Sequence, residues 1–233
     1  MSLRIASADA ATAAGPVRPR NEDSLVQRPE LGLWAVADGA GGHGAGDVAS
    51  QAVAAALQAL RPAPGQVLPA VRQALLAVNA ALHAEGRATR RTIATTVVVL
   101  VLGPAGADLL WAGDSRGYLL RDGRLQALTR DHSVVEELLA AGEITPDIAG
   151  EHPQGNVILR AVGAEATLAL DLVHCPLRPG DRLLLCSDGL YRALPPAELA
   201  RLLATGGAAG LLAAALARQA RDNVTAVVVA LGA

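Results

Sequence analysis

IATTVVVLVLGPAGADLLWAGDSRGYLLRDGRLQAL, residues 93–128, decides the architecture. Four apolar runs, at 93–102, 108–112, 117–121 and 125–128, are separated by turn signals. They are short, and the first two bear β-branched or aromatic residues, so they read as buried strands. Pro104 and Gly106 supply one turn. Asp122-Gly123 supplies another, because a two-residue hairpin loop needs positive φ at both central positions. Strands joined by hairpins pair antiparallel. Outward from this stretch, further strands are expected at 3–8, 24–27, 33–37, 168–174, 182–187 and 224–231. Helices are expected at 47–60, capped by Asp47, and at 68–84, 132–141, 196–204 and 208–221. Hairpins outnumber βα alternation, which favours an antiparallel α+β arrangement over a parallel doubly wound sheet. The whole chain, 1–233, reads as one domain, with a polar surface flap at 133–156.

Composition narrows the function. The formal net charge is -2 and aromatics are 2%. There is neither a basic footprint for nucleic acid nor a set of stacking platforms. All the basic residues are arginine. No apolar stretch reads as a membrane span, and the first residues lack the apolar core of a secretory signal. Cys175 and Cys186 form no CxxC pair and no disulfide framework. The expectation is a soluble, cytoplasmic, monomeric protein with no membrane or nucleic-acid partner.

Four segments share one design. LWAVADG ends at Asp38, LLWAGDS carries Asp114, RLLLCSDG carries Asp188, and in ARDNVTAVVV a strand begins just after Asp222. Strand ends set side by side would gather these carboxylates. Clustered carboxylates repel and cannot all stay ionised without cations. Hard divalent ions with oxygen ligands, Mg²⁺ or Mn²⁺, fit such a set. Any one Asp could equally be a turn or cap residue. The segment from Gly39 to Gly44 formally matches GxGxxG, yet no acid follows between Asp47 and Glu85 to hold a ribose, and no Gly-Lys-Ser/Thr is present. A nucleotide fold is therefore not supported.

The motifs VRPRNEDSL, WAVADGAGGHGAG, ATTVVV, WAGDSRGYLLRDG, LTRDHS, ILRAVG, GDRLLLCSDGL and DNVTAVVV occur in this order. Together they resemble the metal-dependent protein phosphatase family, phosphatase 2C type, in its compact bacterial form. The resemblance runs over nearly the whole chain. It implies a four-layer αββα sandwich of two antiparallel sheets flanked by helices, with the metal centre at one edge. It further implies that Asp38 bridges two metals, Gly39 offers its carbonyl, and Asp188 and Asp222 are terminal ligands. Asp114 with Asp188 would take a third ion. Glu22 and Asp23 would hold metal-bound waters, Asn223 would orient Asp222, and Arg18 would bind the substrate phosphate, with Arg20 as its rival. The activity implied is hydrolysis of phosphoserine and phosphothreonine by direct attack of a metal-activated water, opposing a Ser/Thr kinase or acting on its substrates. Eukaryotic members carry a His where this chain has Ala40, so that position offers no leaving-group acid; His43 is nearby and reads as a loop residue. Ala94 replaces a usual Gly. Cys186 reads as core. Two rivals stand beside this reading: a catalytically silent module on the same fold, disfavoured because every core Asp is present, and a phosphoesterase acting on small molecules or nucleic acid.

Overall fold

The computed structural model describes residues 4–40, 45–104, 106–150 and 152–232. Its strands are β1 (Ile5–Ala13), β2 (Asp23–Arg28), β3 (Leu33–Ala40), β4 (Ala94–Thr95), β5 (Val97–Gly103), β6 (Gly106–Ala112), β7 (Arg116–Arg121), β8 (Arg124–Ala127), β9 (Asp171–Cys175), β10 (Arg182–Cys186) and β11 (Val224–Leu231). The helices are α1 (Gly46–Gln58), α2 (Val67–Thr89), α3 (Val134–Ala141), α4 (Pro146–Ala149), α5 (Asp188–Ala193), α6 (Pro196–Thr205) and α7 (Ala208–Ala217). One sheet runs β1-β11-β10-β7-β8. The other runs β2-β3-β5-β6-β9, with β4 paired to β3. Every ladder is antiparallel.

The near-continuous apolar strands are explained by burial on both faces. Side chains alternate across a strand, and here the alternation sorts them into separate cores. Trp34, Val36, Val98, Leu100, Leu183, Leu185, Val227 and Val229 meet between the sheets. Their neighbours Leu33, Ala35, Val97 and Val99 pack outward on α1 and α2. Leu184, Cys186, Ala226 and Val228 pack outward on α5, α6 and α7. The result is helix, sheet, sheet, helix.

Several expected elements shift. The first strand is β1, reaching Ala13 because it pairs with β11 along its whole length. The 93–102 run is broken at Thr96, whose N–H bonds the Asp38 carbonyl at 2.8 Å. Asp47 is not the cap of α1: the helix begins one residue earlier, and the Asp47 carboxylate accepts from the N–H of Val48. α3 starts after Ser133, whose hydroxyl caps it by accepting from the Glu136 N–H. α2 is long and apolar enough to cross a membrane by length and composition, contrary to the sequence expectation. Yet its Val71, Leu75 and Leu82 lie in the core beside β3 and β5, and its outer face carries Arg72 and Glu85. Asp122 (φ 50°) and Gly123 (φ 73°) form the expected two-residue turn between β7 and β8.

Candidate metal centre and its flap

The two ladders deliver the acids to one edge. β2 pairs with β3 so that Asp23 stands opposite Asp38. The C-terminal end of β10, the starts of β7 and β11, and the end of β6 lie at the same edge, and from there Asp188, Asp222 and Asp114 follow or precede their strands. A cleft of about 610 Å³ opens there, and its walls include Arg18, Arg20, Glu22, Asp38, Gly39, Ala40, Asp114, Asp188, Asp222 and Asn223. All but one of the residues given a metal, water or phosphate role from the sequence thus share one cavity. The exception is Asp23, which is buried behind it at 8% exposure.

Each residue is held by identifiable contacts. The backbone of Asp38 is clamped by the threonine pair: Thr95 Oγ1 donates to its carbonyl at 2.8 Å, and its N–H faces Thr96 Oγ1 at 3.3 Å. Gly39 and Gly46 are glycines because strand β3 and the start of α1 touch backbone to backbone; a Cβ on Gly39 would collide with the Gly46 carbonyl. Asp23 Oδ2 accepts from Ser187 Oγ at 2.8 Å and Thr225 Oγ1 at 2.6 Å. Its Oδ1 is buried without a partner. The Asn223 side chain does not orient Asp222. It accepts from the Glu22 N–H and donates to the carbonyls of Ala14 and Arg20, pinning the loop that carries Arg18. Its backbone N–H, instead, bonds Asp222 Oδ1 at 2.9 Å. Arg18 donates to Asp222 Oδ2 at 2.7 Å. A guanidinium has five N–H donors, so others are left for a ligand.

The electrostatics are those of acids gathered and buried together. Burial, then Asp23, Asp188 and Asp114, push the Asp38 carboxyl well above its usual range; it keeps some surface toward the cleft but lies deep among protein atoms. Burial, with Asp188 and Asp131, raises Asp114 to about 7. Burial raises Asp23 to about 6 against the opposing bonds from Thr225 and Ser187. Asp188 is raised by burial and by Asp222, and lowered by Arg192. The donors here are hard oxygens, and this set fits divalent cations. Among the described residues no three His, Cys, Asp or Glu side chains close around one point. An ion here would be held by one or two carboxylates and keep waters, the mode Mg²⁺-like ions favour.

Sequence reading missed Arg192. On α5 it sits four residues after Asp188 and meets Asp188 Oδ2 at 3.1 Å and Asp114 Oδ2 at 3.6 Å. It also donates to the Gly155 carbonyl at 3.1 Å and to the Asn156 side chain. One guanidinium therefore ties the flap to two of the acids. Its neighbour Tyr191 donates to the Asp114 carbonyl at 3.1 Å, with Arg116 stacked on its ring at 3.7 Å. His132 is structural: its Nδ1 accepts from the Gly113 N–H, and its ring stacks on Trp111. His43 lies outside the described residues.

Residues 19–221 match the model of the family described as Protein phosphatase 2C. The chain belongs to the protein phosphatase 2C family. It is 36% identical to the serine/threonine phosphatase stp of Listeria innocua over 82% of this chain and 81% of that protein. Its fold is similar to that of PppA, a key regulatory component of T6SS in Pseudomonas aeruginosa, with a TM-score of 0.91 and 37% identity, covering 99% and 100% of the two chains. It is similar also to the catalytic domain of the serine/threonine protein phosphatase PstP, solved with two manganese ions, with a TM-score of 0.85 and 35% identity, covering 98% and 99%. The αββα sandwich expected from the sequence is thus the fold of this phosphatase family, and the chain is a protein phosphatase.

Proposed function

We propose that this chain removes phosphoryl groups from phosphoserine and phosphothreonine in proteins by direct attack of water, without a phosphoenzyme. The observation that carries the reading is the cleft itself: Asp38, Asp114, Asp188 and Asp222 share one wall system with Arg18. Asp38, with the Gly39 carbonyl, Asp188 and Asp222, would hold two Mn²⁺ or Mg²⁺ ions, and Asp114 with Asp188 a third. When bound, such ions lower the pKa of a water they share and neutralise phosphate charge. The protein residues do the rest. Arg18 pairs with phosphate oxygens through its planar fork. Glu22 on the cleft wall and Asp23 behind it would accept hydrogen bonds from metal-bound waters. Cys186 is not placed to act as a thiol nucleophile: it faces the helices, fully buried, and burial pushes its pKa up. The physiological partner class is phosphorylated protein, with reversal of a Ser/Thr kinase as its role and a monomer as the working unit.

Hydrolysis of a phosphothreonine peptide and of p-nitrophenyl phosphate is expected with Mn²⁺ or Mg²⁺ and abolished by EDTA. No turnover of either under saturating Mn²⁺ sinks the reading in favour of a silent module. Arg18→Ala should raise KM roughly tenfold, the worth of a charge-assisted bond to phosphate, with a smaller change in kcat. An unchanged KM moves the role to Arg20, which lines the same cleft.

A further inference from the structure

A second groove, of about 440 Å³, adjoins the metal cleft and shares Arg18, Asn156, Asp188, Arg192 and Asp222 with it. Its far wall is the turn after α7, carrying Arg218, Gln219 and Arg221. Among the described residues, four arginines line this groove, and its acids are Asp188 and Asp222, at the end shared with the metal cleft. Three of the arginines are engaged. Arg18 holds Asp222, Arg192 holds Asp188 and the flap, and Arg218 meets Glu198 at 2.5 Å. Arg221 is exposed and has no ion pair among the described residues.

The turn is rigid. The N–H groups of Arg218, Gln219 and Ala220 all bond carbonyls of the last turn of α7, and Ala220 is buried at 3% exposure. Gln219 sits at φ 59°, the left-handed position after a helix that glycine holds with least strain. Gln219 lines the groove beside Arg221. A fixed turn presenting an unpaired guanidinium beside an amide is preorganised for an anion.

We propose that this groove binds a second anionic group of the substrate chain, a neighbouring phosphoryl group or an acidic side chain, and so selects multiply phosphorylated or acid-flanked sites. The proposal rests on the phosphatase reading and adds to it a substrate preference. A nearby phosphoryl group carries close to twice the charge of a carboxylate, so it should be the stronger determinant.

The test compares phosphothreonine peptides with a second phosphothreonine, a Glu or a neutral residue placed two to five positions away on either side. With Mn²⁺ present, the best doubly phosphorylated peptide should have kcat/KM about tenfold above its neutral counterpart, the value of one charge-assisted bond. The Glu peptide should fall between them, and added salt should shrink the ratio. Arg221→Ala should reduce the ratio to about twofold, and Gln219→Gly, which relieves the turn, should lower it while the protein stays folded. p-Nitrophenyl phosphate has no second anion and supplies the reference rate. A flat peptide series with normal p-nitrophenyl phosphate turnover overturns the groove proposal alone, as does a preference unchanged in both variants. Loss of all turnover in the wild type removes the phosphatase reading and this proposal with it.

Discussion

Asp38→Asn is expected to abolish turnover and, at the same time, to stabilise the metal-free protein. The two effects have one cause. Asp38 lies deep among protein atoms, and Asp23, Asp188 and Asp114 raise its pKa further. Keeping it ionised there without a cation is costly. An amide removes the charge, keeps the shape and can donate to a neighbouring carboxylate. Relief of that cost should raise the Tm of the metal-free protein. The same change takes away the proposed shared ligand of two ions. Ions in such a site supply several kcal/mol of charge stabilisation, so kcat should fall by about 10³-fold or more. Thermal melts in EDTA and in Mn²⁺, run beside the rate assay, read both effects. Wild-type turnover would remove Asp38 from the metal centre. A lower Tm in EDTA would refute the electrostatic account of the cleft.

What the sequence discloses, and what it hides, follows the range of the interactions. Asp38 and Asp114 were legible because each comes where a strongly apolar run of sequence ends, a contrast confined to a few residues, although β3 itself continues to Ala40. Asp122-Gly123 was legible for the same reason, since its positive φ values are a local demand. α5 was not, because six residues are too few to display a helical period. Asp188 was read as a strand end, and it in fact opens that helix. Arg192 was hidden by the same error, since its place above Asp188 makes sense only on a helix, where residues four apart meet. The cradle of Asp23 by Ser187 and Thr225 joins residues 164 and 202 positions apart, and no spacing rule reaches that far. Asp47 is no cap, because α1 begins at Gly46 and the Asp47 carboxylate accepts from the N–H of Val48.

Metal-free and Mn²⁺-loaded protein should respond to pH with opposite slopes. Asp114 is raised to about 7 and Asp23 to about 6, in both cases chiefly by burial. In the unfolded chain both titrate near 3.9. Between pH 4 and 7 the folded, metal-free protein therefore holds more protons than the unfolded one. Stability then falls as pH rises, because the slope follows protons bound in the unfolded state minus those bound in the native state. Asp171 and Asp181 work in the other direction. His132 and Arg160 hold the first low, and Arg121 the second, against burial. Their stabilisation is present above the unfolded carboxylate pKa and is lost as pH falls below it. The Tm of EDTA-treated protein should thus peak near pH 4–5 and decline by several degrees toward pH 8. Asp114→Asn should flatten that decline. Metal binding requires ionised carboxylates and stabilises only the folded state. With Mn²⁺ in excess, Tm should rise through pH 6–7, so the gap between the two curves widens with pH. A metal-free Tm that rises from pH 5 to 8 would mean that these acids are ionised at little cost, and the case for a cation-demanding cleft would lose its electrostatic basis.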